Sequence, residues 1–205
     1  MSHTAGAIVE QADTRAVGSL SDAAAVTAAR NDLAAFEPLY RAYADRVYRY
    51  CLRRLNDPDR AADATSAVFI KAMQSIGTCQ PDSFRSWLFS IAHNVTIDAN
   101  RTRRIHSELD DALSVSSSDP SPEDAALTAE TRLEIVALLD LLTPDQRQVV
   151  ELRLAGLDGY EIAEALGRSR AAVDTAQSRA VARLRKLLGV DLNRIESEAA
   201  HGDAR

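Results

Sequence analysis

LTPDQRQVVELRLAGLDGYEIAEALGRSRAAVDTAQSRAVARLRKLL, from Leu142 to Leu188, decides the reading of this chain. It spells two helices around a tight turn and then a long basic helix. From Tyr160 to Leu166 the apolar residues Ile162, Ala163 and Leu166 fall at helical spacing. Gly167 is able to take the left-handed conformation that ends a helix, and Ser169 is placed to cap the next one. The helix after Ser169 repeats Val173, Ala176, Ala180, Leu184 and Leu187 at steps of three and four. With that stripe buried, Arg170, Asp174, Thr175, Gln177, Ser178 and Arg179 point outward, next to Arg168 and Ser169 at the turn. This is the layout in which the second helix of a helix-turn-helix enters a major groove. An ordinary helical hairpin with a solvated charged face has the same periodicity.

Upstream, the chain reads as helices throughout. Phe36, Leu39, Tyr40, Tyr43, Val47, Tyr48, Cys51, Leu52 and Leu55 recur at helical steps until Asn56-Asp57-Pro58 stops the run. A second helix from about Asp59 is expected to bury Ala62, Val68, Phe69 and Met73, followed by a loop from Gly77 to Asp82. A third starts near Ser83 and carries Trp87, Leu88, Ile91, Ala92, Val95 and Ile97 towards Arg104. The fold class is therefore all-α: two small helical domains joined by a flexible acidic linker.

The boundaries follow composition. Residues 1–27 and 189–205 are small and polar without sustained periodicity, and are expected to be disordered ends. Residues 28–105 carry 12 basic and 8 acidic side chains, residues 106–128 carry no Lys or Arg and 6 acidic ones, and residues 129–188 balance at 9 and 9. A basic front domain, an acidic linker and a neutral back domain emerge from a total charge of −6. The linker, SELDDALSVSSSDPSPEDAA, is nearly empty of large apolar residues and is expected to be extended. A passive tether would look the same.

Several function classes drop out. No apolar run approaches a membrane span, and no basic start followed by an apolar block opens the chain, so a cytoplasmic protein is expected. Cys51 and Cys79 lack metal-ligand spacing, the four histidines are scattered and the glycines make no phosphate-cradling loop. The reading is a protein without metal, cofactor or catalytic residues, and not an enzyme.

The end of the third front helix points instead to nucleic acid. Arg101, Arg103 and Arg104 supply three cations in four positions, more than is needed to offset the negative end of a helix dipole. Phosphates are the better-fitting partner when the same helix also displays amides and a large aromatic. Trp87, His93, Asn94 and Asp98 are the candidates, with Asn94 and Asp98 on the face of Arg101. A lone tryptophan is more often core than base platform, so Asn94 is the stronger candidate for a base edge.

FEPLYRAYADRVYRYCLRRLNDPDRAADATSAVFIKA and SFRSWLFSIAHNVTIDANRTRR, followed by the stretch from Leu142, resemble the extracytoplasmic-function sigma factors, the small bacterial RNA polymerase specificity subunits. The first two segments are similar to sigma region 2 and the last to region 4. The resemblance implies that the helix with Trp87, His93, Asn94 and Asp98 recognises and melts the minus-ten element, with a flipped base near Asn94 and phosphates on Arg101, Arg103 and Arg104. It implies that Arg168, Ser169, Arg170, Asp174, Thr175, Gln177, Ser178 and Arg179 face the minus-thirty-five element. It further implies that Asp63, Thr65, Ser66 and Phe69 bind the clamp of the largest subunit of core RNA polymerase, and that region 4 docks on the flap of the second largest. An anti-sigma factor is a possible further partner on the same ground.

Two departures stand out against that family. Asp63-Ala64-Thr65-Ser66-Ala67-Val68-Phe69 stands where members commonly carry Asp-Leu-Thr-Gln-Glu-Val-Phe, and Val173-Asp174-Thr175-Ala176 where they carry Val-Lys-Ser-Arg. Asp174 therefore has to accept from a cytosine amine or turn away from the DNA. A ligand-sensing activator with the same DNA reader is the competing function, and a helical adaptor a weaker one that leaves the three arginines without a purpose.

Overall fold

The computed structural model describes the backbone of residues 22–109 and 134–188, and the side chains of residues 22–102 and 134–188. The proposed extension before residue 22, the acidic stretch between residues 110 and 133 and the tail after Leu188 lie outside the described residues, as do the side chains of Arg103 and Arg104. Every regular element among the described residues is helical.

The front domain consists of α1 (residues 22–31), α2 (Glu37–Leu55), α3 (Pro58–Ser75) and α4 (Phe84–Leu109). Helix α1 corrects the expected boundary at residue 27. Val26 and Ala29 are buried in the domain core, and the Asp22 carboxylate accepts from the Tyr43 hydroxyl. The stop after α2 is the one the sequence announces. Asn56 takes the left-handed conformation (φ 50°), the Asp57 side chain accepts from the Arg60 amide at 3.0 Å, and Pro58 opens α3 where no intrahelical donor is needed. Short 3₁₀ turns at Ile76–Thr78 and Pro81–Ser83 fill the predicted loop.

The inner face of the domain is aromatic. Phe36 meets Phe69 and Phe84 edge-on at 6.4 and 6.3 Å, and Tyr50 meets Phe89 at 5.7 Å with the rings nearly perpendicular. Tyr50, Phe84, Leu88 and Phe89 are essentially solvent-free, and burying each such side chain stabilises the fold by roughly 1.5–3 kcal/mol. On α3 the small residues Ala61, Ala64 and Ala72 make the close approach, while Ala62, expected inside, faces out.

The back domain consists of α5 (residues 134–140), α6 (Pro144–Leu154), α7 (Gly159–Leu166) and α8 (Arg170–Leu188). Thr143 with Gln146 and Asp158 with Glu161 form reciprocal capping boxes that start α6 and α7. Gly167 ends α7 at φ 61°, and the Ser169 hydroxyl accepts from the Ala172 amide at 3.3 Å to start α8. Val173 and Ala180 of the expected stripe are buried, Ala176 and Leu184 are half-buried, and Leu187 is exposed, so the stripe fades towards the end of the helix.

The two domains are in contact. Helix α7 lies on α4 and α6 on α2, and one apolar core runs from Phe84 and Phe89 through to Leu152, Leu157 and Ile162. A separate small cluster of Leu139, Leu142 and Ala180 holds α5 to the rest of the back domain.

Candidate nucleic-acid interface

Helix α4 carries two faces with different fates. Trp87, Asn94, Asp98 and Arg101 follow one another at steps of seven, four and three, which lines them along one side of a helix. Asn94, Asp98 and Arg101 are exposed there, and Trp87 is half-buried beside Phe84 with ring centroids 6.0 Å apart. The stripe presents an amide, a carboxylate and a guanidinium to solvent, with one flank of an indole.

His93 sits about 100° around the helix from Asn94, and it is a correction to the sequence reading. Its ring points into the core with Nδ1 3.2 Å from the Tyr50 hydroxyl. Burial, helped by the charges of Arg54 and Arg168, pushes its pKa down to about 4, so the imidazole is neutral and structural at physiological pH. It takes no place on the exposed stripe.

The same α4 face as His93 meets the back domain. The Ser86 hydroxyl donates to Glu164 Oε2 at 2.6 Å, and Arg85 reaches Glu161 and the Gly156 carbonyl. One helical layer away, Arg54 of α2 pairs with Glu151 of α6 at 2.9 Å, while Arg147 donates to the Arg53 carbonyl at 3.2 Å.

In the back domain the turn between α7 and α8 places the expected residues at one edge. Ser169, Asp174, Thr175, Ser178 and Arg179 are exposed. Arg168 is held by Asp145 at 2.8 Å, and Gln177 is half-buried and accepts from Arg153 at 2.6 Å. Asp174 has a partner on its own helix. Both of its oxygens accept from Arg170 Nε at 2.9 Å, so it is paired within its own helix. Tyr160 is absent from the expected set, yet it is the most exposed large apolar side chain at this edge. Its neighbours, Gly159 and Glu161, carry the turn and cap signals that dominate a sequence reading there.

On α3, Asp63 and Ser66 are exposed, Thr65 is half-buried and donates to the Ala61 carbonyl, and Phe69 is buried as its place in the apolar stripe predicts, which takes it out of the exposed set expected to face the clamp. Phe69 is buried against Phe36 and Tyr40, so it supports the helix from within. The outer face of α3 offers Asp63, Ser66 and Ile70 instead.

Burial raises the Cys51 and Cys79 thiols to about 11, which keeps both protonated at neutral pH. Among the described residues no group of three His, Cys, Asp or Glu side chains is placed to hold a metal ion, and no helix is long and apolar enough to cross a membrane.

Comparison with known proteins places this arrangement. Residues 39–105 match the family Sigma-70 region 2, and residues 132–184 match Sigma-70, region 4. The ECF RNA polymerase sigma factor SigX of Bacillus subtilis is 34% identical over 159 residues, covering 74% of this chain and 82% of SigX. The ECF sigma factor BldN of Streptomyces coelicolor is 36% identical over 162 residues, 77% of this chain, and the match spans 61% of BldN. For SigE of Mycolicibacterium smegmatis the identity is 35% over 64% of this chain, and the span is 53% of SigE. In fold, the chain is similar to CnrH, solved in complex with the cytosolic domain of CnrY, with a TM-score of 0.64, 24% identity, and coverage of 83% of this chain and 98% of CnrH. It is also similar to RpoE of Bartonella quintana, solved with the anti-sigma factor NepR, with a TM-score of 0.62, 22% identity, and coverage of 76% of this chain and 98% of RpoE. Two family regions in order, a two-domain helical fold and a relative matched over most of its length leave one assignment: the chain belongs to the extracytoplasmic-function sigma factors of the sigma-70 family.

Proposed function

We propose that this chain is an alternative sigma factor that binds core RNA polymerase, directs it to promoters through the minus-ten and minus-thirty-five elements, and promotes melting of the DNA. The observation that carries this reading is the exposed stripe of Asn94, Asp98 and Arg101 on α4, in the same chain as the α7–α8 helix-turn-helix. The stripe holds a base-edge amide ahead of a cation cluster that continues in sequence with Arg103 and Arg104. A single strand is bound by this combination of a charged track with groups that engage splayed bases. Binding that is stronger to melted than to paired DNA shifts the duplex towards opening. Ser169, Thr175, Ser178 and Arg179 are the exposed set for the minus-thirty-five element, with Arg170 and Asp174 acting as a pair.

The outer face of α3, with Asp63 and Ser66, is proposed as the contact to the polymerase clamp, and the back domain as the contact to the flap. As RpoE does with the anti-sigma factor NepR, this chain is proposed to have an anti-sigma partner. The protein supplies recognition rather than a catalytic step, since RNA synthesis belongs to the polymerase, and it acts in the cytoplasm where the polymerase is.

The test is transcription in vitro from genomic fragments with core RNA polymerase, with and without this protein. Specific start sites that require the protein are expected. Failure to bind core polymerase, together with a shift of duplex DNA by the protein alone, overturns the sigma reading in favour of an activator.

A further inference from the structure

Arg170 is the first residue of α8, and its guanidinium is seated on three sides. Asp174, one turn on, takes Nε with both carboxylate oxygens at 2.9 Å. The Tyr160 ring lies against the guanidinium carbon, which is 4.6 Å from the ring centroid. Beneath it is Gly159, where a Cβ would fall 2.1 Å from Nη1 and 2.2 Å from the guanidinium carbon. Only a residue without a side chain leaves that space open. The two Nη groups have no hydrogen-bond partner among the described residues, so the end of the fork is free while its stem is fixed.

A long side chain loses rotamer entropy when it is clamped onto a ligand, and a clamp already built removes that cost from binding. The free Nη end of an arginine at the start of a recognition helix matches the O6 and N7 acceptors of guanine in a major groove. We propose that Gly159, Tyr160 and Asp174 are positioning residues that present Arg170 to a guanine of the minus-thirty-five element. The inference rests on the sigma reading above and names the base that this site selects. Asp174, on this view, reads no base itself. It fixes Arg170 and offsets its charge, so that binding depends on the hydrogen-bonding fork more than on attraction to phosphate.

The experiment is in vitro transcription by holoenzyme from a promoter library randomised across the minus-thirty-five region, with sequencing of the templates that initiate. The full-length wild type is expected to select guanine at one position, and Arg170→Lys to lose that selection, because an ammonium has no planar fork. Tyr160→Ala and Gly159→Ala are each expected to reduce the guanine preference about tenfold, with selection at other positions unchanged. Gly159→Ala favours the helical backbone, so it displaces Arg170 without loosening the fold. Tyr160→Phe keeps the ring and is expected to keep the preference. Initiation by both alanine variants with the wild-type guanine preference overturns this inference alone. No initiation by the wild type on any template overturns the sigma reading and the inference with it.

Discussion

Glu151 of α6 and Arg54 of α2 are joined across the two domains by a 2.9 Å ion pair in which the Glu151 side chain has no exposed surface. The other carboxylate oxygen accepts from Arg147 Nε at 2.7 Å, so one anion serves two guanidinium groups. Removing one partner of a buried pair strands the other charge, which costs about 3–5 kcal/mol. Glu151→Ala is therefore expected to lower the unfolding free energy measured by urea titration by a margin of that order. An unfolding free energy within about 0.5 kcal/mol of wild type, the scatter of ordinary surface substitutions, would show that the pair contributes little.

Stability should also fall with acid through His93. Above the ordinary histidine value of about 6.5, folded and unfolded rings are both neutral, and this group contributes no pH dependence. Between there and about 4, the unfolded chain takes up a proton that the ring, buried against Tyr50 and facing the charges of Arg54 and Arg168, refuses. The loss grows as pH falls across that window and approaches about 3 kcal/mol at its lower end. Unfolding free energies measured from pH 7 to pH 4 are expected to fall less steeply in His93→Gln. Parallel curves for the two proteins would place the acid sensitivity elsewhere.

The cations at the end of α4 predict a salt effect. Each phosphate that is no longer neutralised should reduce the slope of log affinity against log salt by about 0.7–0.9. Alanine at Arg101, Arg103 and Arg104 together should weaken binding of holoenzyme to a promoter and flatten its slope by about 2–3. An unchanged slope would remove all three from the DNA path.

Asn94 is expected to act after binding. Loss of a base-edge hydrogen bond pair worth about 1–3 kcal/mol should leave the closed complex formed by Asn94→Ala nearly intact while reducing the open complex tenfold or more. Permanganate reactivity of unpaired thymines reads the difference. Full reactivity on every promoter tested would show that Asn94 reads no base.

Elements whose determinants are local are legible in the sequence. Asn56-Asp57-Pro58 ends α2 and starts α3 by cap and turn chemistry confined to three residues, and Gly167-Arg168-Ser169 does the same between α7 and α8. The errors lie where burial depends on a distant partner. His93 looks available on its own helix, and Tyr50, 43 residues earlier, encloses it. Helix α1 reads as a loose end because AAAVTAAR has one large apolar residue, Val26, although alanines suffice where a helix packs closely. Glu151, in QRQVVELRLAG, carries no local signal of its burial. Its carboxylate is paired with Arg54, 97 positions away, and with Arg147 one turn before it. The candidate stripe on α4 is readable because its spacing is that of a single helix. The seat of Arg170 is not, since it joins two helices across a turn.

The contact between α4 and α7 carries a geometric consequence. Promoter elements named for positions ten and thirty-five are separated by about 25 base pairs, roughly 85 Å of duplex at 3.4 Å per step. Helices joined by a 2.6 Å hydrogen bond from Ser86 to Glu164 cannot reach both at once. Along the same seam, beside the shared apolar core, Nε of Arg53, Arg54 and Arg85 has no hydrogen-bond partner among the described residues, so part of the polar contact is left unsatisfied while the domains are closed. A molecule in this closed form is a ruler folded at its hinge. Its apparent affinity for a complete promoter is the intrinsic one scaled by the fraction of molecules that stand open.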